Sequence, residues 1–333
     1  MSKFLRELME QPQALERLLG EKREIEKSIS HVKPRRMLFA GMGASYYAGM
    51  YATMYLLDNG MDAQCIELSQ ILNYNSPLYL NKFDAIILIS QSGESIELEK
   101  FVERYEHLLK KVFFVTNNPM CRTGKFLSEG RVIGINAGEE EAMGSTKTFV
   151  NTIAALMIIS SKWLDKELDF SNFPKAFEVA LQQSVTSVLS RFERAGTSVL
   201  ISWKYGVPLM EMARLTLIEV AKHPCLVYEG AMFRHGPIEI MITNPLIILL
   251  SIEDATTECK CSSLCKRLKT LGFAPVLLGR KRPSNIYIDV PLPSELTPIP
   301  YIVIFQKLAH SLAEIEGYDP GTGIFSAKIT REE

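Results

Sequence analysis

Residues 85–95 read Ala85-Ile86-Ile87-Leu88-Ile89-Ser90-Gln91-Ser92-Gly93-Glu94-Ser95, an unbroken apolar run that passes directly into a hydroxyl-rich turn. A short, wholly apolar run bounded by turn residues has the pattern of a strand buried on both faces. From Ile96 to about residue 109 the apolar residues recur at helical spacing, so the turn is a strand-to-helix passage. Three serine hydroxyls, a glycine that permits close backbone approach and the free N–H groups of a helix start together form a cradle for an anion. Ser95 is also placed to cap the helix, but a cap requires neither Ser90 nor Ser92. No Gly-Lys-Ser/Thr is present here, which argues against a nucleotide-binding P-loop.

The alternation extends in both directions. Residues 3–30 predict a helix, with Leu5, Leu8, Leu15, Leu18 and Leu19 set among charges and an end before Pro34. A strand at 37–40 and a helix from about 45 to 57 precede the quoted run, and strands at 112–115 and 132–135 follow it. After two consecutive helices, 145–164 and 172–194, the rhythm restarts. It gives a strand at 199–202, a helix at 209–222, a strand at 246–251, a helix around 257–270, a strand at 275–278 and a helix near 301–315. Repeated βαβ order predicts an α/β protein of two similar three-layer αβα lobes, each with a mainly parallel sheet. The expected division is an N-terminal helix (1–30), a first domain (31–165), a connecting helix (166–195), a second domain (196–318) and a tail (319–333). One continuous doubly wound sheet is the alternative, disfavoured by the restart.

In open α/β sheets ligands bind beyond the carboxyl ends of the strands. Besides residues 90–95, two such ends stand out in the first lobe. Gly41-Met42-Gly43-Ala44-Ser45 resembles the opening of a dinucleotide fingerprint, but Tyr46 stands where the third glycine is required, so nicotinamide or flavin binding is disfavoured. The passage from Asn136 through Gly138, Glu139, Glu140 and Glu141 to Ser145-Thr146-Lys147 leads into another helix, whose start can hold an anion or cap itself. The three acidic residues read as a solvated loop rather than a metal site.

In the second lobe Met212, Leu215 and Glu219 fall at helical spacing, which puts a carboxylate on a core-directed face. It either pairs with Lys222 or His223, or acts as a base whose pKa is raised by partial desolvation. His235 lies between Arg234 and Gly236-Pro237, on a turn where it is free to meet a ligand.

Composition narrows the classes. The 333 residues are 47% hydrophobic, enough for two real cores, and the net charge of −1 gives no field to attract nucleic acid. There is no apolar leader, and the apolar runs at 154–159 and 245–250 are too short for a bilayer, so a soluble cytoplasmic protein with no membrane partner is expected. The six cysteines are expected to be reduced, with Cys259, Cys261 and Cys265 serving as small apolar residues on a helix rather than as metal ligands.

Residues 36–149, with the 90–95 turn and Gly138 through Lys147, resemble a sugar isomerase (SIS) domain. Together with Glu219, Arg234-His235-Gly236-Pro237 and the tail Ala327-Lys328-Ile329-Thr330, the whole chain resembles the tandem-SIS, flavodoxin-like isomerase half of glucosamine-6-phosphate synthase. Stand-alone fructosamine-6-phosphate deglycases and amino-sugar-phosphate deaminases share that plan. The resemblance implies that Gly43, Ser45, Ser90, Gln91, Ser92 and Ser95 hold the phosphate and sugar, with Ser145 on a sugar hydroxyl. It implies that Glu219 moves a proton between C1 and C2, that His235 from a neighbouring subunit opens the ring, and that Lys328 closes over the substrate. No cofactor or metal is needed, and a homodimer or higher assembly with shared active sites is expected.

Three departures from the family pattern bear on the reaction. No glutaminase domain is seen before the first lobe, which disfavours amination from glutamine. Thr216 stands three residues before Glu219, where the synthase has a lysine. Ser202-Trp203-Lys204-Tyr205 replaces a glycine-rich loop in the second lobe, so a second phosphate is not expected there. The expected reaction is C–N cleavage of a phosphorylated amino sugar or fructosamine 6-phosphate coupled to aldose–ketose isomerisation. A plain ketose–aldose phosphate isomerase is the alternative. A non-catalytic phosphosugar sensor is a third possibility, disfavoured by the Glu219 and His235 pair.

Overall fold

The computed structural model describes residues 1–74, 77–127, 130–251, 255–279 and 284–329; Thr330 of the tail motif lies outside the described residues. In chain order, helices α1 (Lys3–Met9), α2 (Gln11–Gly20) and α3 (Lys22–Ile29) lead to β1 (Arg36–Gly41), α4 (Ala44–Asp58), β2 (Asp62–Glu67), α5 (Leu68–Tyr74) and α6 (Pro77–Leu80). Then come β3 (Ala85–Ile89), α7 (Ile96–Arg104), β4 (Val112–Thr116), α8 (Arg122–Lys125), β5 (Val132–Gly134) and α9 (Lys147–Trp163). Helices α10 (Phe173–Gln182) and α11 (Thr186–Phe192) precede β6 (Ser198–Ser202), α12 (Gly206–Ala221), β7 (Cys225–Glu229) and α13 (Gly230–Phe233). The chain continues through β8 (Leu246–Leu250), α14 (Ala255–Thr270), β9 (Val276–Leu278) and α15 (Ile302–Ile315).

The chain divides into two compact units. One contains Gln13–Glu140, Ser145–Leu168 and the tail from Ile324, and holds a parallel sheet of order β2-β1-β3-β4-β5. Leu38, Ala40, Ile86, Leu88 and Phe114 of this sheet share a core with residues of α5 and α7. The alternate set meets the long helices instead: Gly49 of α4 lies against Phe39 and Ile89, and Trp163 of α9 against the edge of Phe113. The other unit contains Met1–Pro12, Glu141–Gly144 and Asp169–Gly323, with a parallel sheet of order β7-β6-β8-β9. Val199, Ile201, Ile247 and Leu249 pack there on Cys261, Leu264 and Leu268 of α14.

The chain is therefore α/β with two parallel-sheet lobes. The single helix read over residues 3–30 is instead three helices. Pro12 cannot continue α1, because its ring would meet the carbonyl of Leu8, and Gly20 ends α2. The break is also where the chain passes from one unit to the other. The helix read over 172–194 is likewise two, parted at Gln183, which is extended. Lys307 of α15 fills that gap, its Nζ donating to the carbonyls of Leu181 (2.6 Å) and Gln183 (2.5 Å). Burial pushes the Lys307 ammonium below the usual lysine range.

Candidate active site

In the first lobe, β1 delivers Gly41 into a position with no space for a side chain: a Cβ would stand 2.9 Å from the Cβ of Ser45 and 3.0 Å from the carbonyl of Ile89. Gly43, at the N-cap of α4, has φ 51° and ψ −125°, a conformation open only to glycine. These two glycines let the β1 and β3 ends approach and set partly exposed Ser45 on the first turn of α4.

The turn after β3 is braced from within and from the next strand end. Ser90 Oγ, buried, accepts from Gly93 N at 3.2 Å, and Ser92 Oγ accepts from Glu94 N at 3.2 Å. Gly93 has φ 70°, and a Cβ there would stand 2.9 Å from the Cβ of Cys121. Beyond β4, Asn117 N donates to the Gln91 carbonyl (3.1 Å) and Asn118 Nδ2 to the Ser92 carbonyl (3.3 Å). Ser95 occupies the N-cap of α7 with extended backbone, but its side chain makes no capping bond. The first N–H groups of α7 thus lack a side-chain cap beside Ser92 and Ser95, the arrangement that receives an oxyanion.

The passage into α9 differs from the expected solvated acidic loop. Glu139 and Glu141 are exposed, but Glu140 is buried. Its Oε2 accepts from Thr146 N (3.0 Å), Thr146 Oγ1 (3.0 Å) and Thr148 N (3.1 Å), and its Oε1 accepts from Thr148 Oγ1 (2.6 Å). The carboxylate thereby caps α9, which starts at Lys147 rather than Ser145. Ser145 is partly exposed just ahead of this cap. Lys328 from the tail completes the cluster, its Nζ 2.6 Å from the Glu140 carbonyl and 3.2 Å from Oε1. Neither Glu140 nor the Asn117–Asn118 brace was singled out in the sequence. The rule that marks strand ends, applied to β4, points to both asparagines.

In the second lobe Glu219 lies half-buried near the end of α12. Thr216, on the previous turn, is buried, and its hydroxyl is spent on the Met212 carbonyl (2.9 Å). Lys222, left-handed at the helix end, donates from Nζ to the Glu219 carbonyl and to the Thr322 carbonyl (3.4 Å), over the Tyr318 ring. Burial lowers the Lys222 pKa, against the opposing pull of Glu219 and Asp319. His223 faces the other way: its Nε2 lies 2.8 Å from Ser198 Oγ, beside the Phe192 ring. His235 is exposed on the turn after α13, held by a bond from its N–H to the Met232 carbonyl (3.0 Å). Gly236 follows with φ 117°. Cys261 lies in the core, where burial pushes its thiol up to about 12, while Cys259 is exposed on another face of α14.

Residues 31–161 match the family model described as the SIS domain. Apart from Glu141–Gly144, the match falls within the first lobe. The chain is related over 95% of its length to the glutamine--fructose-6-phosphate aminotransferase [isomerizing] of Sulfurisphaera tokodaii, at 23% identity over 329 residues that make up 54% of that protein. It thus spans about half the length of the curated relatives it matches. Among solved structures, the glucosamine-6-phosphate deaminase of Thermotoga maritima superposes with a TM-score of 0.76 at 18% identity, covering 99% of this chain and 100% of that one. The tagatose-6-phosphate ketose/aldose isomerase of Escherichia coli superposes with a TM-score of 0.79 at 15% identity, covering 97% and 96%. These likenesses show that the chain shares the fold of these structures along nearly its whole length. No helix among the described residues is long and apolar enough to cross a membrane.

Proposed function

We propose that this chain is a phosphosugar-processing enzyme that cleaves the C–N bond of a phosphorylated amino sugar or fructosamine 6-phosphate, coupled to aldose–ketose isomerisation. The uncapped start of α7, with Ser95 unused as a cap beside Ser92, carries this reading because it presents donors to a phosphate. Ser45, Ser90, Gln91 and Ser92 surround the sugar phosphate, and Ser145 takes a sugar hydroxyl. Glu219 transfers the proton and His235, from a second copy of the chain, opens the ring. For glucosamine 6-phosphate, moving a proton from C2 to C1 turns the open-chain amine into a C2 imine. Water then adds at C2, ammonia leaves and fructose 6-phosphate remains. Relatives named for amination and for deamination of hexose 6-phosphates support chemistry at a carbon–nitrogen bond.

Plain ketose–aldose isomerisation is the second reading. It is favoured by Thr216, whose hydroxyl is committed to the Met212 carbonyl and which brings no amine to the site. Incubation with fructoselysine 6-phosphate, glucosamine 6-phosphate and fructose 6-phosphate, following amine release and hexose phosphate formation, separates the two. Amine release from either of the first two supports cleavage, and interconversion of fructose 6-phosphate alone supports the isomerase. Tight binding without turnover would overturn both readings in favour of a sensor.

A further inference from the structure

The second lobe has a cavity of about 420 Å³ lined from the end of β6, the end of α13 and one side of α14. Its floor is apolar, formed by Trp203 and Leu264, both buried. Arg234, Lys260, Thr256 and Ser263 also line it. Neither cation makes an ion pair or side-chain hydrogen bond among the described residues, although both belong to an ordered turn or helix. Glu229, the acid preceding α13, is turned away into the cap of that helix, accepting from Ala231 N at 2.7 Å. The Trp203 indole is 97% buried against Gly230, where a side chain would overlap the ring, and its Nε1 has no hydrogen-bond partner.

A groove on the first lobe shows by contrast what an unliganded cavity can do with its charges. It is lined by Leu72, Asn73, Lys100, Glu103 and Arg104, and there Arg104 is spent on the Leu72 carbonyl while Glu103 supplies a counter-charge. Among the described residues, the second-lobe cavity is lined by two cations, no acid and an aromatic floor. We propose that it binds a small organic anion: an aromatic or apolar body against Trp203 and Leu264, with one phosphate or carboxylate group between Arg234 and Lys260. A ligand held there fixes Arg234 and with it the turn that carries His235, so it acts as an effector. That second step rests on the function proposed above, whereas the binding does not.

The chain has two tryptophans, so a Trp163→Phe background leaves Trp203 as the reporter. Phenyl phosphate is expected to change Trp203 emission saturably and to protect exposed Cys259, which also lines the cavity, from alkylation. Arg234→Gln and Lys260→Gln are each expected to weaken binding roughly tenfold or more, with Ser95→Ala leaving it unchanged. Inorganic phosphate is expected to bind more weakly than phenyl phosphate, because it lacks the body that meets Trp203. No saturable response and no protection, or unchanged affinity in both cation variants, would overturn the site. Saturable binding with unaltered turnover of the competent substrate would overturn the effector step alone.

Discussion

The two lobes share strand order, with β2-β1-β3-β4 matched by β7-β6-β8-β9, yet their strand ends are built for different tasks. After β1 and β3 the first lobe keeps glycines where backbone must come close and leaves Ser45 and Ser95 without capping or bracing bonds. After β6 the second lobe turns the Ser202 hydroxyl onto the Leu250 carbonyl (3.0 Å) and packs it against Gly206, while Trp203 fills the space beyond. With the same strand order, the scaffold offers a place for an anion and the loop decides whether it is used. In the second lobe the groups proposed to carry the chemistry, Glu219 and His235, stand near the end of α12 and on the turn after α13.

The sharpest break of this division is Glu219→Gln. Steady-state kinetics on the competent substrate are expected to show kcat reduced by about 10²- to 10⁴-fold, with phosphosugar binding retained. A variant with full activity would remove the second lobe from the chemistry. Next in size, Glu140→Gln leaves Lys328 facing a neutral partner and replaces an acceptor of four bonds with a side chain that must turn donors toward other donors. Denaturant titration is expected to show a loss of about 3 kcal/mol or more, in the first lobe. Gly93→Ala combines a φ of 70° with overlap on Cys121 and is expected to cost about 1–3 kcal/mol and to lower phosphosugar affinity. In the second lobe Gly206→Ala, crowded against Ser202 after β6, is expected to cost stability without affecting affinity.

Most of the scaffold could be read from the sequence because its central strands are continuous apolar runs: β1, β3 and β4 in one sheet, β6 and β8 in the other. The two edge strands β2 and β7 escaped for a shared reason. Asp62-Ala63-Gln64-Cys65-Ile66-Glu67 is half-covered and mixes polar residues into its pattern, and Cys225-Leu226-Val227-Tyr228-Glu229 is likewise only partly buried. The hydroxyls of the 90–95 turn were legible because they follow a strand directly. Glu140 was not: an acid among acids looks solvated, and its burial depends on Thr146 and Thr148 folding back onto it. Lys222 escaped as a partner of the tail because Thr322 is 100 residues away.

Ser95→Ala tests the comparison where the structural effect should nearly vanish. An N-cap serine usually contributes about 0.5–2 kcal/mol, but here the side chain makes no capping bond. Thermal unfolding is therefore expected to change by less than about 0.5 kcal/mol while phosphosugar affinity falls. A full capping loss in stability, with affinity intact, would return Ser95 to a purely structural role.

The smallest effect concerns acid. Burial lowers the pKa of His223 and of His310, and both lie in the second lobe. A histidine whose folded pKa is depressed binds protons more readily once unfolded, so the folded state is disfavoured as pH drops. Stability is complete above the unfolded value of 6.5 and is lost as pH falls from there through the folded pKa of each. His223 couples to the fold through Ser198 Oγ and the Phe192 ring, so protonation weakens packing beside β6. Each lobe holds one tryptophan, Trp163 or Trp203, so emission from single-tryptophan variants reports the lobes separately. Between pH 7 and 5 the Trp203 reporter is expected to show the greater loss of stability, with His223→Gln shallower in its pH dependence. Equal loss at Trp163, or an unchanged slope in the variant, would show that the acid response is not carried by this histidine.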